Sequence, residues 1–162
     1  MSRPWQNLER RETTDGVFEL RQRGVDDFLI LFDDRVLMNS RQSQSERQLG
    51  LQTCEGLRGA SRVLVGGLGM GLTLRAVLDS LDAEARVTVA ELHLVVVDWC
   101  RGPLADLSRD CLADSRVTVR IGDVAERIRE AADGVTESYD AIVLDLFEGP
   151  HARTESKRDP LY

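Results

Sequence analysis

Two acidic residues, Asp145 and Glu148, stand in the segment Asp-Leu-Phe-Glu-Gly-Pro at residues 145–150. Asp145 follows a run of apolar residues, which is typical of a buried strand that carries a carboxylate at its end. Two carboxylates that face one pocket can hold a cationic amine and accept its proton, which frees the nitrogen lone pair for attack. The alternative is a polar loop without a ligand, because acidic residues are common in loops.

A glycine-rich run, Gly-Gly-Leu-Gly-Met-Gly, occupies residues 66–71 and follows another apolar run. Glycine is needed where a turn is tight and where a ligand contacts the backbone. A dinucleotide fingerprint requires the spacing G-x-G-x-x-G, whereas the third glycine here comes one position early. This spacing suits a nucleoside without a pyrophosphate, such as S-adenosylmethionine, and a ligand-free strand–helix turn is the alternative. The candidate binding residues are Gly66, Gly67, Gly69 and Gly71.

Two further acidic residues end predicted strands. Glu91 lies twenty residues after Gly71, where a carboxylate can accept hydrogen bonds from both ribose hydroxyls. Asp123 follows a glycine and precedes a helical pattern, so it can cap that helix or accept from an adenine amino group. The alternative for Glu91 is a solvated acid at a strand end, and helix capping alone is sufficient to explain Asp123.

The pattern of apolar residues predicts the elements that position these side chains. Residues 17–39 resemble a β-meander, with turns at residues 24–27 and 33–34. A capping box of Ser43 and Glu46 predicts a helix that runs to about Arg58 and stops at Gly59. Strands then alternate with helices. We predict strands at 62–65, 86–90, 116–121 and 139–144, helices after Gly71 to about residue 81 and at 124–132, and a helix or turn at 93–100.

Strands that alternate with helices indicate an α/β fold with a mostly parallel sheet. The candidate site residues all follow strands, and ligands in open α/β sheets bind outside the carboxyl ends of the strands. We expect residues 1–42 to form a small N-terminal β-ribbon region and residues 43–162 to form a nucleoside-binding domain. Residues 148–162 are polar and are predicted to be loop, so the strands that would complete a doubly wound sheet are expected to be missing.

Composition excludes several classes of function. The chain has 162 residues and a net charge of −7, which disfavours a nucleic-acid partner. The acidic charge suits a small cationic partner, and the alternative is that it serves solubility alone. Lys157 is the only lysine, and the two histidines and three cysteines show no metal-ligand spacing, so we expect no metal. The unpaired cysteines fit a reducing compartment. We see no secretory leader and no apolar run long enough to cross a membrane, so we expect a cytoplasmic protein without a membrane partner.

The quoted segments together resemble the polyamine aminopropyltransferases, or spermidine and spermine synthases, over roughly residues 17–162. The similarity is greatest to bacterial spermidine-synthase-like proteins, which often carry a Gly-Gly-Leu-Gly-Met-Gly loop and a Trp-x-Arg-Gly-Pro-Leu segment, here residues 99–104. The segments that carry the resemblance are RVLVGGLGMGLTLRAVLD (62–79), VTVAEL (87–92), RVTVRIGDV (116–124) and YDAIVLDLFEGP (139–150).

The resemblance implies a methyltransferase-like Rossmann fold and a transferase that moves an aminopropyl group from decarboxylated S-adenosylmethionine to a polyamine acceptor. By resemblance, the glycine-rich run lines the donor, Glu91 holds its ribose and Asp123 faces its adenine. Asp145 matches the catalytic aspartate of the family, and Glu148 stands where an acceptor-binding aspartate is usual. Members of the family often form dimers or tetramers, so a homo-oligomer is expected, with the β-ribbon and the sheet edge as candidate contact surfaces.

Two alternatives remain open. The family loop usually carries an aspartate that binds the donor amine, and Gly69 stands in its place, which favours a methyltransferase that uses ordinary S-adenosylmethionine. The helix after Ser43 also lacks the Tyr-Gln-Glu run that is typical of true synthases, which bears on the substrate in the same way. The C-terminal strands of the family are expected to be missing, which favours a non-catalytic nucleoside-binding or interaction protein derived from the family.

Overall fold

The computed structural model describes residues 3–42 and 44–146. An antiparallel sheet forms the N-terminal part, and a parallel sheet flanked by helices forms the rest, which confirms the predicted α/β fold. The two sheets share one continuous hydrophobic core, in which Phe18 and Ile30 of the first sheet pack with Val65 and Val89 of the second. The N-terminal sheet is thereby stabilised by burying one face, since a small ribbon alone is only marginally stable.

The N-terminal sheet has four strands in sequential order, namely β1 (Gln6–Glu12), β2 (Val17–Arg23), β3 (Asp27–Phe32) and β4 (Arg35–Asn39). The predicted tight turn between β3 and β4 is confirmed, because Asp33 and Asp34 both have positive φ, at 46° and 62°. The predicted ribbon began at residue 17, which was wrong because it omitted β1. That strand is polar and mostly exposed, so it has no apolar alternation to reveal it.

A helix, α1 (Gln44–Thr53), follows the N-terminal sheet. Its predicted end near Arg58 was wrong by five residues. The chain leaves the helix earlier because Glu55 and Leu57 donate to carbonyls three residues back and Gly56 takes a φ of +84°. The predicted capping residue Ser43 lies outside the described residues.

The second sheet contains β5 (Arg62–Gly66), β6 (Arg86–Glu91), β7 (Val117–Ile121) and β8 (Ala141–Leu144), all parallel, in the order β7-β6-β5-β8. The strand order reverses between β5 and β8, which is where doubly wound folds bind their ligands. The prediction had started the last strand at residue 139, and Tyr139 and Asp140 lie just before it.

Within residues 44–146, three helices cover the parallel sheet, namely α2 (Leu72–Ser80), α3 (Leu94–Arg101) and α4 (Val124–Ala132). Val77 of α2 and Val97 of α3 belong to the main core, which also covers the N-terminal sheet. The other face of the sheet has a smaller cluster, where Val124 of α4 packs with Leu64 and Ala90. Within the described residues, no helix is long and apolar enough to cross a membrane.

Candidate active site at the strand ends

The glycine-rich turn joins β5 to α2 and lies directly against the end of β8. Gly67 has a φ of +86°, and a Cβ atom there would stand 2.2 Å from the backbone oxygen of Asp145. Gly66 accepts a backbone hydrogen bond from Asp145 at 2.9 Å. Only glycine allows both the left-handed backbone and this close approach. The turn therefore determines where Asp145 stands.

The other glycines of the turn also contact protein atoms closely. Gly69 has a φ of +52°, and a Cβ atom on it would meet the end of the Met38 side chain, with Cε at 2.4 Å. Gly71 has a φ of +79°, and its Cβ would lie 2.8 Å from the Cys111 sulfur. A Cβ on Gly66 would lie 2.7 Å from a methyl group of Val124. Packing thus favours glycine at Gly66 and Gly71, whereas at Gly69 the Met38 tip can move and the left-handed backbone is the constraint.

Glu91 is buried at the end of β6, with 4% of its surface exposed, so it is not a solvated acid. Its Oε2 accepts from the Leu68 N–H at 2.8 Å, and its Oε1 accepts from the His93 N–H at 2.9 Å. A carboxylate offers about four lone-pair positions, so two remain after these bonds. Glu91 therefore fixes the glycine-rich turn and retains acceptor capacity for a further donor.

Asp123 is the N-cap residue of α4, as the sequence predicted. Its Oδ1 accepts from the Ala125 N–H at 2.9 Å. The preceding Gly122 donates to the backbone oxygen of Glu91 at 2.9 Å, which links the ends of β6 and β7. Asp123 has a second carboxylate oxygen that makes no hydrogen bond within residues 3–42 and 44–146, so capping does not exhaust its acceptors.

Asp145 is half-buried just after β8. Its Oδ2 accepts a short hydrogen bond from the hydroxyl of Thr73, a buried residue in the first turn of α2. Burial raises the pKa of the Asp145 carboxyl, the negative charge of Glu46 raises it further, and the Thr73 hydrogen bond opposes the increase. Such a carboxylate is a stronger base than an exposed aspartate, which suits the acceptance of a proton.

A cavity of about 260 Å³ opens between the two sheets and contains Asp145. A second acid, Glu46 of α1, lines the same cavity. The remaining lining residues are Leu37, Met38 and Asn39 of β4, Ser45 of α1, and Leu146, which directly follows Asp145. Two carboxylates in one cavity give it a negative potential, which favours a small cation. We call this space the acidic cavity.

Two of these side chains were missed by sequence reasoning. The sequence predicts only a capping role for Glu46. Its position in the acidic cavity results from the packing of α1 against β8. Thr73 had no role because it lies inside an ordinary helical pattern, and nothing in the sequence shows that its hydroxyl reaches Asp145. Glu148, predicted to be the second acid of the site, lies outside the described residues. Within those residues no cluster of three potential metal ligands occurs.

Comparison with known proteins gives relatives in sequence and in fold. No family model matches the chain. Polyamine aminopropyltransferases 1 and 2 of Ralstonia nicotianae are each 31% identical to it over 127 residues, which is 76% of this chain and 23% and 24% of their own lengths. The chain therefore spans about a quarter of the length of the curated relatives it matches.

Two solved structures share the fold. One is a spermidine synthase in complex with the transition-state analogue AdoDATO, and the other is spermidine synthase from Thermotoga maritima. Each has a TM-score of 0.69 and 19% identity; they cover 90% and 86% of this chain, which in turn covers 48% and 47% of theirs. The fold is thus the methyltransferase-like Rossmann fold of these enzymes. In sequence, the chain is similar to polyamine aminopropyltransferases, the spermidine synthase family, over the 127 residues that it shares with the two Ralstonia proteins.

Proposed function

We propose that this chain forms the donor- and acceptor-binding part of an aminopropyltransferase, which transfers an aminopropyl group from decarboxylated S-adenosylmethionine to a polyamine acceptor. The observation that carries the proposal is the half-buried Asp145 beside Glu46 in the acidic cavity, against the glycine-rich turn. The sequence relatives, which are polyamine aminopropyltransferases, support the choice of reaction.

In this proposal the donor lies along the ends of β5, β6 and β7. The glycine-rich turn of residues 66–71 contacts its sulfur end. The unused acceptor positions of Glu91 take the ribose hydroxyls, and the second oxygen of Asp123 takes the adenine amino group. Glu91 supports this assignment because it is buried and is already held in place by two backbone N–H groups.

The acceptor amine occupies the acidic cavity. Glu46 and Asp145 attract its cationic form, and Asp145 accepts the proton that must leave before the nitrogen can attack. The neutral nitrogen then forms a bond to the propyl carbon next to the sulfonium, the carbon–sulfur bond breaks and its electron pair goes to sulfur. The products are methylthioadenosine and the aminopropylated amine. Because the sulfonium is already a good leaving group, positioning supplies most of the rate. We further propose that Glu148 contributes a second acceptor-binding carboxylate.

A methyltransferase that uses ordinary S-adenosylmethionine is the second candidate. It is favoured by Gly69, which brings no carboxylate to the turn and instead lies against the tip of Met38. A donor that keeps its own carboxylate is not repelled at this position.

We also expect a cytoplasmic location, which is supported by the three free thiols of Cys54, Cys100 and Cys111.

The test is the amine-dependent release of methylthioadenosine from decarboxylated S-adenosylmethionine, measured with a panel of diamines and polyamines. We expect Asp145→Asn to lower the rate about 10²- to 10⁴-fold because it removes the base, with donor affinity little changed. Asp106→Asn is the matched control, because Asp106 is exposed in a turn outside the acidic cavity. Equal turnover in Asp145→Asn would remove the role given to Asp145, and absence of turnover in the unaltered protein would support a non-catalytic binding role.

A further inference from the structure

A second cleft, of about 590 Å³, runs along the parallel sheet from the ends where its strands begin. Arg62 and Arg86 are the first residues of β5 and β6, and Arg116 directly precedes β7. The acidic cavity instead adjoins the ends where these strands finish. The two spaces share no lining residue, so they are separate. We call the second space the arginine cleft.

The arginine cleft is basic on a chain that is acidic overall. Five arginines and two glutamates line it, a net charge of +3, whereas the whole chain has a net charge of −7. Arg62 and Arg86 begin β5 and β6, Arg116 precedes β7, Arg120 lies on β7 and Arg127 lies on α4. This concentration of positive charge creates a local potential that attracts anions despite the net charge of the chain.

Three of the five arginines already have acidic partners. Arg62 pairs with Glu137, Arg116 pairs with Asp114 at 2.7 Å, and Arg127 pairs with Glu130 at 3.0 Å. These pairs hold their guanidinium groups in fixed positions around the cleft.

The guanidinium groups of the other two arginines, Arg86 and Arg120, are available to a ligand. Arg86 and Arg120 are exposed, and neither side chain has a hydrogen-bond or ion-pair partner in the part of the chain that the structure describes. They stand on neighbouring strands but not opposite each other, because Arg120 of β7 pairs with Ala90 of β6, which lies four residues, or about 13 Å, beyond Arg86. Each guanidinium group lacks a counter-ion, and an anion beside it would be stabilised by its charge.

The neutral groups of the cleft are hydrogen-bond donors as well. Thr88 and Thr118 are paired on adjacent strands, and Ser115 and Tyr139 lie at its margins. Hydroxyl groups and guanidinium forks together match the several acceptor oxygens of a phosphate. The volume lies within the range of small-molecule sites, about 300 to 1,000 Å³.

We propose that the arginine cleft binds a phosphate-bearing small molecule through Arg86 and Arg120. The site is independent of the acidic cavity and of the reaction proposed there. A free polyphosphate and a nucleotide both carry a chain of phosphate groups, which is the chemistry that the cleft would recognise. Tyr139 offers a ring surface to a nucleotide base, so the two ligands can be told apart by affinity.

The experiment is calorimetric titration of the full chain at low ionic strength, with pyrophosphate in one arm and ATP in the other. We expect both to bind, and the affinity to fall by at least about tenfold in the Arg86→Gln, Arg120→Gln double variant. Tighter binding of ATP supports a nucleotide, and equal binding supports a polyphosphate. Melting curves establish that the double variant is folded.

The matched control is the double variant Arg35→Gln, Arg101→Gln. It removes the same charge from two exposed arginines that lie outside the cleft, on β4 and α3. We expect it to change the affinity less than twofold. Absence of binding of both ligands at millimolar concentration would overturn the proposal. An equal loss of affinity in the control would also overturn it, because the loss would then reflect only the overall charge of the protein.

Discussion

Asp145 combines a half-buried carboxylate with one side-chain hydrogen-bond donor among the described residues. The Thr73 hydroxyl holds one of its oxygens, while burial and the charge of Glu46 favour the protonated form. These influences oppose each other, so the basicity of Asp145 depends on how well Thr73 holds it. A proton acceptor for an amine needs this balance, since it must be ionised at working pH and still bind a proton readily.

The raised pKa of Asp145 predicts a pH-dependent effect on stability. Its folded-state pKa lies above the ordinary value of 3.8, so its contribution to stability is fully present below that value and is lost as pH rises through the folded-state pKa. At pH 7 the ionised, half-buried carboxylate therefore destabilises the fold. We expect Asp145→Asn to raise the melting temperature at pH 7 and to change it little at pH 3. A variant that melts lower than the unaltered protein at pH 7 would contradict this prediction.

Thr73 is predicted to be a positioning residue for Asp145. Thr73→Val removes the hydroxyl, so we expect kcat to fall about tenfold, the loss expected for one hydrogen bond to a charged group. The KM for the donor should change little. Because the Thr73 hydrogen bond lowers the pKa of Asp145, its loss should move the acidic limb of the pH–rate profile to higher pH.

Thr73→Ser is the control for this variant because it keeps the hydroxyl. It should restore both the rate and the position of the acidic limb. A Thr73→Val enzyme with an unchanged pH profile would show that Thr73 has only a structural role.

At the scale of elements, the contact between the glycine-rich turn and the end of β8 fixes the site. Gly67→Ala would place a Cβ atom 2.2 Å from the Asp145 backbone oxygen, at a φ of +86°. Gly24→Ala is a matched control, because Gly24 has a φ of +74° and nothing within 4 Å of the added atom. We expect the control to lose about 1 kcal/mol of stability from the backbone conformation alone.

Gly67→Ala should lose more, by about 1 to 3 kcal/mol from overpacking, and should also lose activity because Asp145 is displaced. Chemical denaturation of the two variants checks the difference. Equal losses of stability would show that the approach of β8 to the turn is not rigid.

The parallel sheet was largely predictable from sequence, whereas the N-terminal sheet was less so. The α4 bounds and the Asp123 cap follow from local rules, because the cap and the amphipathic pattern lie in one short segment. Strand β1 could not be found, since it is polar and mostly exposed, and the bonds of Glu9 and Arg11 to α3 are long-range. Glu46 and Thr73 enter the site only through the packing of α1 and α2, which composition and periodicity do not show.

At the scale of the whole molecule, the two sheets together form the acidic cavity. Met38 and Asn39 come from the first sheet, Glu46 from the helix between the sheets, and Asp145 from the second. Because one core holds both sheets, their relative position is fixed by the same apolar contacts that stabilise the fold. The N-terminal sheet is therefore a wall of the proposed acceptor site as well as a packing partner.

We also predict that the protein forms homo-oligomers. Among the described strands, β8 pairs only with β5, which leaves its other edge open, and Ile142 and Leu144 on it are 41% and 46% exposed. An open, apolar edge favours pairing with another chain. Light scattering checks the mass in solution, and Ile142→Lys should shift it towards the monomer. A monomer at all concentrations of the unaltered protein would contradict this expectation.

Identification of the product tests the proposed aminopropyl transfer most directly. The purified protein would be incubated with a diamine and with either decarboxylated or ordinary S-adenosylmethionine, and the amine products identified by mass spectrometry. We predict an aminopropylated amine together with methylthioadenosine, formed only with the decarboxylated donor and lost in Asp145→Asn. A methylated amine formed from ordinary S-adenosylmethionine, or no product from either donor, would contradict the proposal.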